Sequence, residues 1–487
     1  MLGSASILAS PERTKAFATA GVAILLLLPM WTVPSRVFDG GIAAAAADFT
    51  LHGLLPYRDY WLLYGPLAGW FLAAPTAVLG PSVELTRLVG LLWLAGQTLV
   101  VYWLCCRWTT SFAASLLALA SALLIGSFMG LELHAWTMAM TFALLAMALR
   151  LGGARPVIVG FLLGLAFLAR LDVGVYGLVA LLLLPERRRL LFGFGAVVVT
   201  AGVAFVLLVP IERLAEQLVW YPLVGPRQFR GMPGLGADLP LAVVLPLTAT
   251  LAVLPRLAAL AGLVVAAFER RSDLLVLAVF ASLCQLQTLG RADAPHMAVA
   301  STPAIVVIAA LLPRSPRHSL VAVGVVASVL FASGVLGTMA SISQPSDRDV
   351  ALQRAVTAVR ITTEPDEPVL VGLTSHRHTI ANSLLAYYLV DRPPGTRWTM
   401  YNPGVTNVDT TQTLMVQDLE TAKTNLLILD VEWAGVFEST NDSRLAGSVI
   451  LDRYIQDTFQ TWCDFGAYRV AKRSTWKPGS ACPVTDS

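Results

Sequence analysis

The chain of 487 residues is 56% hydrophobic and only 13% charged, with a mean hydropathy of +0.69. Those values exclude a soluble enzyme and point to a polytopic α-helical membrane protein. The net charge of +3 says little by its sum, because placement decides its meaning, and no nucleic-acid partner is expected.

Span length, about 20 apolar residues per crossing, and the side on which arginine clusters fall give a topology of about 11 transmembrane helices. Residues 17–33 read as an uncleaved first helix, with Arg13 and Lys15 holding the N-terminus in the cytoplasm. A polar break from Arg36 to Tyr64 follows, and it carries Asp39, Arg58 and Asp59. Residues 65–79 are short, hold Pro66 and Pro75, and suit a helix lying at the interface. Crossings are then expected over 85–105, 111–128 and 133–149, with Arg107, Arg150 and Arg155 inside.

Two shorter segments, 157–169 and 173–184, are each near 20 Å as helices. They would recess Arg170 and Asp172 toward the membrane before Arg187, Arg188 and Arg189 return the chain to the cytoplasm. Further crossings are expected over 190–209, 239–268, 274–289, 297–312 and 320–339. Once arginines have fixed this topology, the acids give an independent reading. Asp39, Asp48, Asp59, Glu84, Glu132, Asp172, Glu212, Glu216, Asp238 and Asp293 all fall outside, as do His52, His134 and His296. Carboxylates, imidazoles and arginines gathered at outer helix ends are what a site at the membrane surface needs.

From residue 344 the composition changes, and residues 344–487 read as an extracytoplasmic α/β domain beside a transmembrane domain of residues 1–343. Helices are expected over 347–360, 379–390, 410–422 and 443–456, and strands over 368–372, 425–430 and 466–471. Five cysteines form no metal-binding spacing: Cys105 and Cys106 are adjacent, Cys284 falls inside a span, and only Cys463 and Cys482 could pair outside. There is no internal repeat.

One span, a long outer loop with an early Asp39, then Tyr57-Arg58-Asp59 and Tyr64-Gly65-Pro66-Leu67, resembles the GT-C superfamily of membrane glycosyltransferases. The likeness is on the side of the protein O-mannosyltransferases and aminoarabinose transferases, and Glu132-Leu133-His134 and Arg291-Ala292-Asp293-Ala294-Pro295-His296 support it. The mannosyltransferases carry two adjacent acids where this chain has Asp39-Gly40, so no acidic dyad is expected.

That resemblance implies transfer of a sugar from a polyprenyl-phosphate donor to a hydroxyl acceptor on the outer face of the plasma (inner) membrane, with inversion. Asp39 is the expected catalytic base. Arg58, Arg170 or Arg291 would hold the lipid phosphate. Asp59, Glu132, His134, Asp172, Asp293 and His296 complete the expected substrate-binding set, and Asp39 with Glu132 could hold a divalent cation as an optional cofactor. The rival reading is a transporter or flippase of a lipid-linked sugar, with Arg170 and Asp172 on a midplane path. Its ionisable groups would sit mid-span, whereas here they gather at helix ends.

Overall fold

The computed structural model describes residues 10–223, 248–288, 293–312, 324, 347–438, 442–476 and 481–484. It is mostly helical, and six described helices are long and apolar enough to cross a membrane: Glu12–Thr32, Val83–Cys105, Ser111–Met129, Arg187–Leu208, Thr250–Glu269 and Ala294–Leu311. Four shorter apolar helices, Ala135–Leu151, Pro156–Ala169, Leu171–Leu181 and Ser272–Gln287, occupy the other expected crossings. The chain is thus a multi-pass membrane protein. The expected span over 320–339 apart from residue 324, Asp238, Arg291 and the start of the 239–268 span lie outside the described residues.

The chain divides into two compact units, the first formed by Met1–Val33, Arg87–Phe205 and Pro233–Ser343, the second by Pro34–Thr86, Val206–Met232 and Gln344–Ser487. In the first unit 83% of the most apolar stretch of the Ser111–Met129 helix is buried, against 11% of that of Arg187–Leu208, which turns Leu, Val and Phe side chains outward. In lipid such helices gain little from apolar side chains alone and associate where small residues let backbones approach. The Pro156–Ala169 and Arg187–Leu208 helices meet in that way at two glycines. A Cβ on Gly160 would stand 2.1 Å from the Leu190 carbonyl oxygen, and one on Gly193 2.0 Å from that of Val157.

The expected break between the two short segments is present. Arg170 is extended (φ −154°, ψ 116°), ending the Pro156–Ala169 helix and starting Leu171–Leu181. Gly174 brings the second helix back against the backbone of Phe167, where a Cβ would lie 2.4 Å from its nitrogen.

The second unit holds a four-stranded sheet, β1 (Val369–Leu373), β2 (Leu426–Asp430), β3 (Phe459–Asp464) and β4 (Tyr468–Arg473), in the order β1-β2-β4-β3. β1 and β2 are parallel, and β4 runs antiparallel to both β2 and β3. All five residues of β1 and of β2 are buried. That is why these strands read as unbroken apolar runs rather than alternating ones. Their crossover is supplied by helices Leu384–Val390 and Asp409–Thr421.

Three expectations change here, the first being that the helix read over 379–390 begins only at Leu384. The helix read over 443–456 is a short 3-10 turn, Asp442–Arg444, followed by the helix Ile450–Thr458, because Gly447 and Ser448 are bonded instead to Arg377 and Asn407. β3 was not expected, since Phe459-Gln460-Thr461-Trp462-Cys463-Asp464 is an edge strand of mixed polarity. Cys463 on β3 and Cys482 form a disulfide.

His376 is wholly buried. Its Nδ1 lies 2.7 Å from Asp452 and its Nε2 accepts from the Leu373 amide. This is the neutral imidazole with the proton on Nδ1, donating to the carboxylate. Burial by itself raises the Asp452 carboxyl, but hydrogen bonds from the His376 side chain and amide and from Ser375 bring it below the usual carboxylate value. A depressed carboxylate stabilises the fold above the unfolded value of about 3.9 and loses that contribution as pH falls through its folded value. Asp452→Asn should therefore destabilise the full chain by about 1–3 kcal/mol at pH 7. The gap between variant and wild-type thermal midpoints in detergent should close below about pH 4; a gap independent of pH would assign the loss to shape alone.

Candidate functional site

Asp39 opens the helix Asp39–Leu51, whose residues Gly40 to Phe49 are all buried. The stretch read as a polar break, Arg36 to Tyr64, therefore begins with a helix, Asp39–Leu51. Ala43 to Ala47 are strong helix formers, and their small side chains let neighbouring backbones come close. Gly41 is required by one such approach: a Cβ there would stand 2.4 Å from the Leu385 amide nitrogen at the start of the Leu384–Val390 helix, and Leu385 donates to the Val37 carbonyl.

The N-cap of the Asp39 helix is Phe38, with no side-chain capping bond. Asp39 itself lies within the first turn, half-buried, where the helix dipole favours an anion. No hydrogen bond to its carboxylate is made among the described residues.

Arg58 and Asp59 form a local pair. Arg58 Nε and Nη2 donate to Asp59 at 2.9 and 2.7 Å, and Asp59 also accepts from the Leu55 amide at 2.8 Å. The loop they close is held from a second segment. Ile211–Ala215 runs into a π-helical turn, Glu216–Trp220, and Gln217 there donates to the Tyr57 carbonyl and accepts from the Leu62 amide. Arg213 donates to the Arg58 carbonyl. Tyr57, at φ 68°, is buried and donates its hydroxyl to the Tyr64 carbonyl. Trp61 stacks on Trp398 at 5.1 Å, and the Arg397 guanidinium lies 4.1 Å above the Trp398 ring.

In the first unit a polar cluster surrounds Trp136. The Arg170 guanidinium lies 4.1 Å above its ring and the His296 ring meets it at 4.8 Å. Arg170 Nε donates to Asp172 at 3.0 Å, and Gln287 donates to the other carboxylate oxygen. Asp293 is the N-cap of the Ala294–Leu311 helix, accepting from the His296 amide at 2.9 Å, and it also meets His296 Nδ1. Asp172, Arg170, Asp293 and His296, far apart in sequence, are thus drawn together; Arg291 lies outside the described residues.

Glu132 and His134 are each 4% exposed. Arg87 approaches Glu132 at 3.4 Å and donates to the carbonyls of Trp31 and Val33. Glu132 Oε2 and Gln287 Oε1 are buried acceptors with no hydrogen-bond partner among the described residues.

Sequence reasoning missed Trp136, Gln287 and Arg87. Trp136 follows His134 by two residues and could have been drawn in by that proximity. Arg87 lies at the start of an apolar run and gave no signal, and neither did an isolated Gln287. The possible cation ligands Asp39 and Glu132 belong to different compact units. Among the described residues, the cluster whose ligand atoms lie close enough together to bind a metal ion is instead Asp48, His52 and Asp391.

No family model matches the chain, and no curated protein does. Among solved structures it is similar to ArnT from Cupriavidus metallidurans bound to undecaprenyl phosphate, with a TM-score of 0.55 and 14% identity over 96% of this chain and 99% of that one. An Archaeoglobus fulgidus oligosaccharyltransferase matches with a TM-score of 0.49 and 12% identity over 85% of this chain and 69% of the other. The mycobacterial arabinofuranosyltransferase AftD matches with a TM-score of 0.41 and 13% identity over 96% and 40%. Of these three, only the first is similar enough to speak for the fold. The chain shares the fold of ArnT, the kind of fold that the GT-C resemblance of the residues around Asp39 and Tyr57 to Leu67 implies.

Proposed function

We propose that this chain is a membrane glycosyltransferase that moves a sugar from a polyprenyl-phosphate donor to a hydroxyl acceptor of the cell envelope, a glycan, lipid or protein, with inversion. Fold alone does not carry an activity. The observation that carries this one is the Asp39 carboxylate, without a hydrogen-bonding partner among the described residues at the start of a well-packed helix. In the reaction the acceptor oxygen forms a bond to the anomeric carbon as the bond from that carbon to the phosphate oxygen breaks. The hydroxyl proton passes to Asp39, and the polyprenyl phosphate leaves with the bonding pair.

The other roles follow from charge and hydrogen-bonding capacity. Arg170, buried on Trp136, is the partner assigned to the donor phosphate, with Arg291 and Arg58 as further cations. Arg58 is already engaged by Asp59, so that pair is assigned to shaping the loop. Glu132, with a buried oxygen lacking a donor, is suited to receive a hydroxyl of the sugar or acceptor. His134, Asp172, Asp293 and His296 are assigned to substrate positioning. A polyprenyl-phosphate donor is supported by the undecaprenyl phosphate bound to ArnT.

This reading takes residues 1–343 as a transferase domain of about eleven crossings in the inner membrane, with the N-terminus cytoplasmic. Residues 344–487 are its extracytoplasmic α/β domain. Membrane vesicles of known sidedness, supplied with a panel of radiolabelled polyprenyl-phosphate sugars, test it. Label should pass to a hydroxyl acceptor, with release of polyprenyl phosphate, from the face that carries the C-terminal domain. Transport of intact donor across the vesicle without transfer would replace the enzyme with a flippase.

A further inference from the structure

The second unit holds a group of side chains that the transfer reaction does not use. Asp48 and His52 close the C-terminal end of the Asp39–Leu51 helix, and Asp391 is the C-cap of the Leu384–Val390 helix packed beside it. Gly41 and Leu385 bring the two helix starts together, so the helices run side by side in the same direction and their carbonyl ends meet at the other end. One ligand atom from each of Asp48, His52 and Asp391 lies within 4.8 Å of the others.

Asp48 is 1% exposed, and its Oδ2 has no hydrogen-bond partner among the described residues. The adjacent cation is occupied elsewhere: Arg392 donates to Thr363 and to the carbonyls of Arg360, Thr363 and Asp391. Two carboxylates and the negative end of a helix dipole therefore face one another with no bonded cation between them.

The imidazole is set for coordination. His52 Nδ1 lies 3.0 Å from the Asp48 carbonyl oxygen, so the tautomer with hydrogen on Nδ1 satisfies that bond. Nδ1 also lies 3.6 Å from Asp48 Oδ1, and Nε2, left as an acceptor in that tautomer, lies 3.9 Å from Asp391 Oδ1. A ring nitrogen hydrogen-bonded to a backbone carbonyl while the other faces the ion is the usual arrangement around a metal-bound histidine.

We propose that Asp48, His52 and Asp391 bind one zinc ion, which ties the helix begun by Asp39 to the helix that follows β1. Zinc bonds of about 2.0–2.2 Å set ligand atoms about 3.3 Å apart, a modest contraction from the observed spacing. The half-exposed Asp391 and His52 leave the fourth position to water. Three ligand groups including an imidazole are too few and too nitrogenous for calcium or magnesium, which take six or more oxygens.

The test uses the full chain purified in detergent, stripped with a chelator and titrated with zinc alone. Bound metal is counted by mass spectrometry after desalting, and unfolding is followed by heating. The wild type should retain one zinc per chain and unfold at a higher temperature with it than without. His52→Gln and Asp391→Asn should each weaken retention by at least about tenfold, while Glu132→Gln and Asp39→Asn keep it. Asn is tolerated at the left-handed φ of 56° that Asp391 adopts, so this variant keeps the helix end and remains monodisperse. Wild type that retains no zinc, retention unchanged in both ligand variants, or loss in Glu132→Gln would each overturn the site. None of these results bears on sugar transfer.

Discussion

Asp39→Asn should lower sugar transfer by about 10² to 10⁴, the usual contribution of a positioned general base, while leaving membrane levels unchanged. The two effects separate because Asn keeps the shape of the side chain and removes only its capacity to take a proton. Asp39 makes no capping bond, so the structural loss is confined to its interaction with the helix dipole, about 0.3–1 kcal/mol at an exposed terminus. That cannot imitate a loss of several orders of magnitude in rate.

Asp59→Asn is the internal comparison. Asp59 accepts from the Leu55 amide and from two nitrogens of Arg58, so its work is to hold the loop, and its variant should keep measurable turnover. Transfer measured on both variants at equal membrane levels decides the matter. A near wild-type rate in Asp39→Asn would move the base to another carboxylate, with Glu132 the next to examine.

The sequence was most legible where one property decided the structure. Among the described residues, apolar length and arginine placement located nine helices within a few residues, from Ser111–Met129 to Ser272–Gln287, because twenty apolar residues have few other stable uses in a membrane protein. Runs such as Leu426–Asp430 were equally plain, since a strand buried on both faces needs no alternation. The stretch after Asp39 was harder. Its glycines signal flexibility in a sequence read alone, and only the approach of Leu385 to Gly41 explains why glycine is needed inside a helix.

The site divides in the same manner. Charged residues at helix ends could be listed from the sequence, and Arg170, Asp172, Asp293 and His296 do converge. Arg170 and His296 share Trp136 as a partner, which an apolar helix start conceals. Asp48 and His52 show an i, i+4 spacing on one helix, but Asp391 is more than three hundred residues away in the chain. No local pattern could join it to them.

Arg170→Ala should lower transfer by about 10² to 10³, in line with removal of one preorganised group that stabilises developing charge on a leaving oxygen. Arg170→Lys should fall less, since an ammonium retains the charge but not the planar face laid on Trp136 at 4.1 Å. The competing account is structural. Arg170 ends one short helix and begins the next, and its Nε bond to Asp172 could exist only to hold that break. Truncating one partner of a buried pair destabilises by about 3–5 kcal/mol, because the other charge is left without compensation. Here Asp172 keeps the Val173 amide and Gln287 as donors after Arg170 is removed, which softens that loss and leaves the variant measurable. The two accounts part on specific activity per folded molecule and on its dependence on donor concentration. A phosphate partner shows reduced turnover or a raised KM for the polyprenyl-phosphate sugar in the protein that reaches the membrane. A structural pair shows reduced yield with normal turnover, and that result would withdraw Arg170 from the donor site.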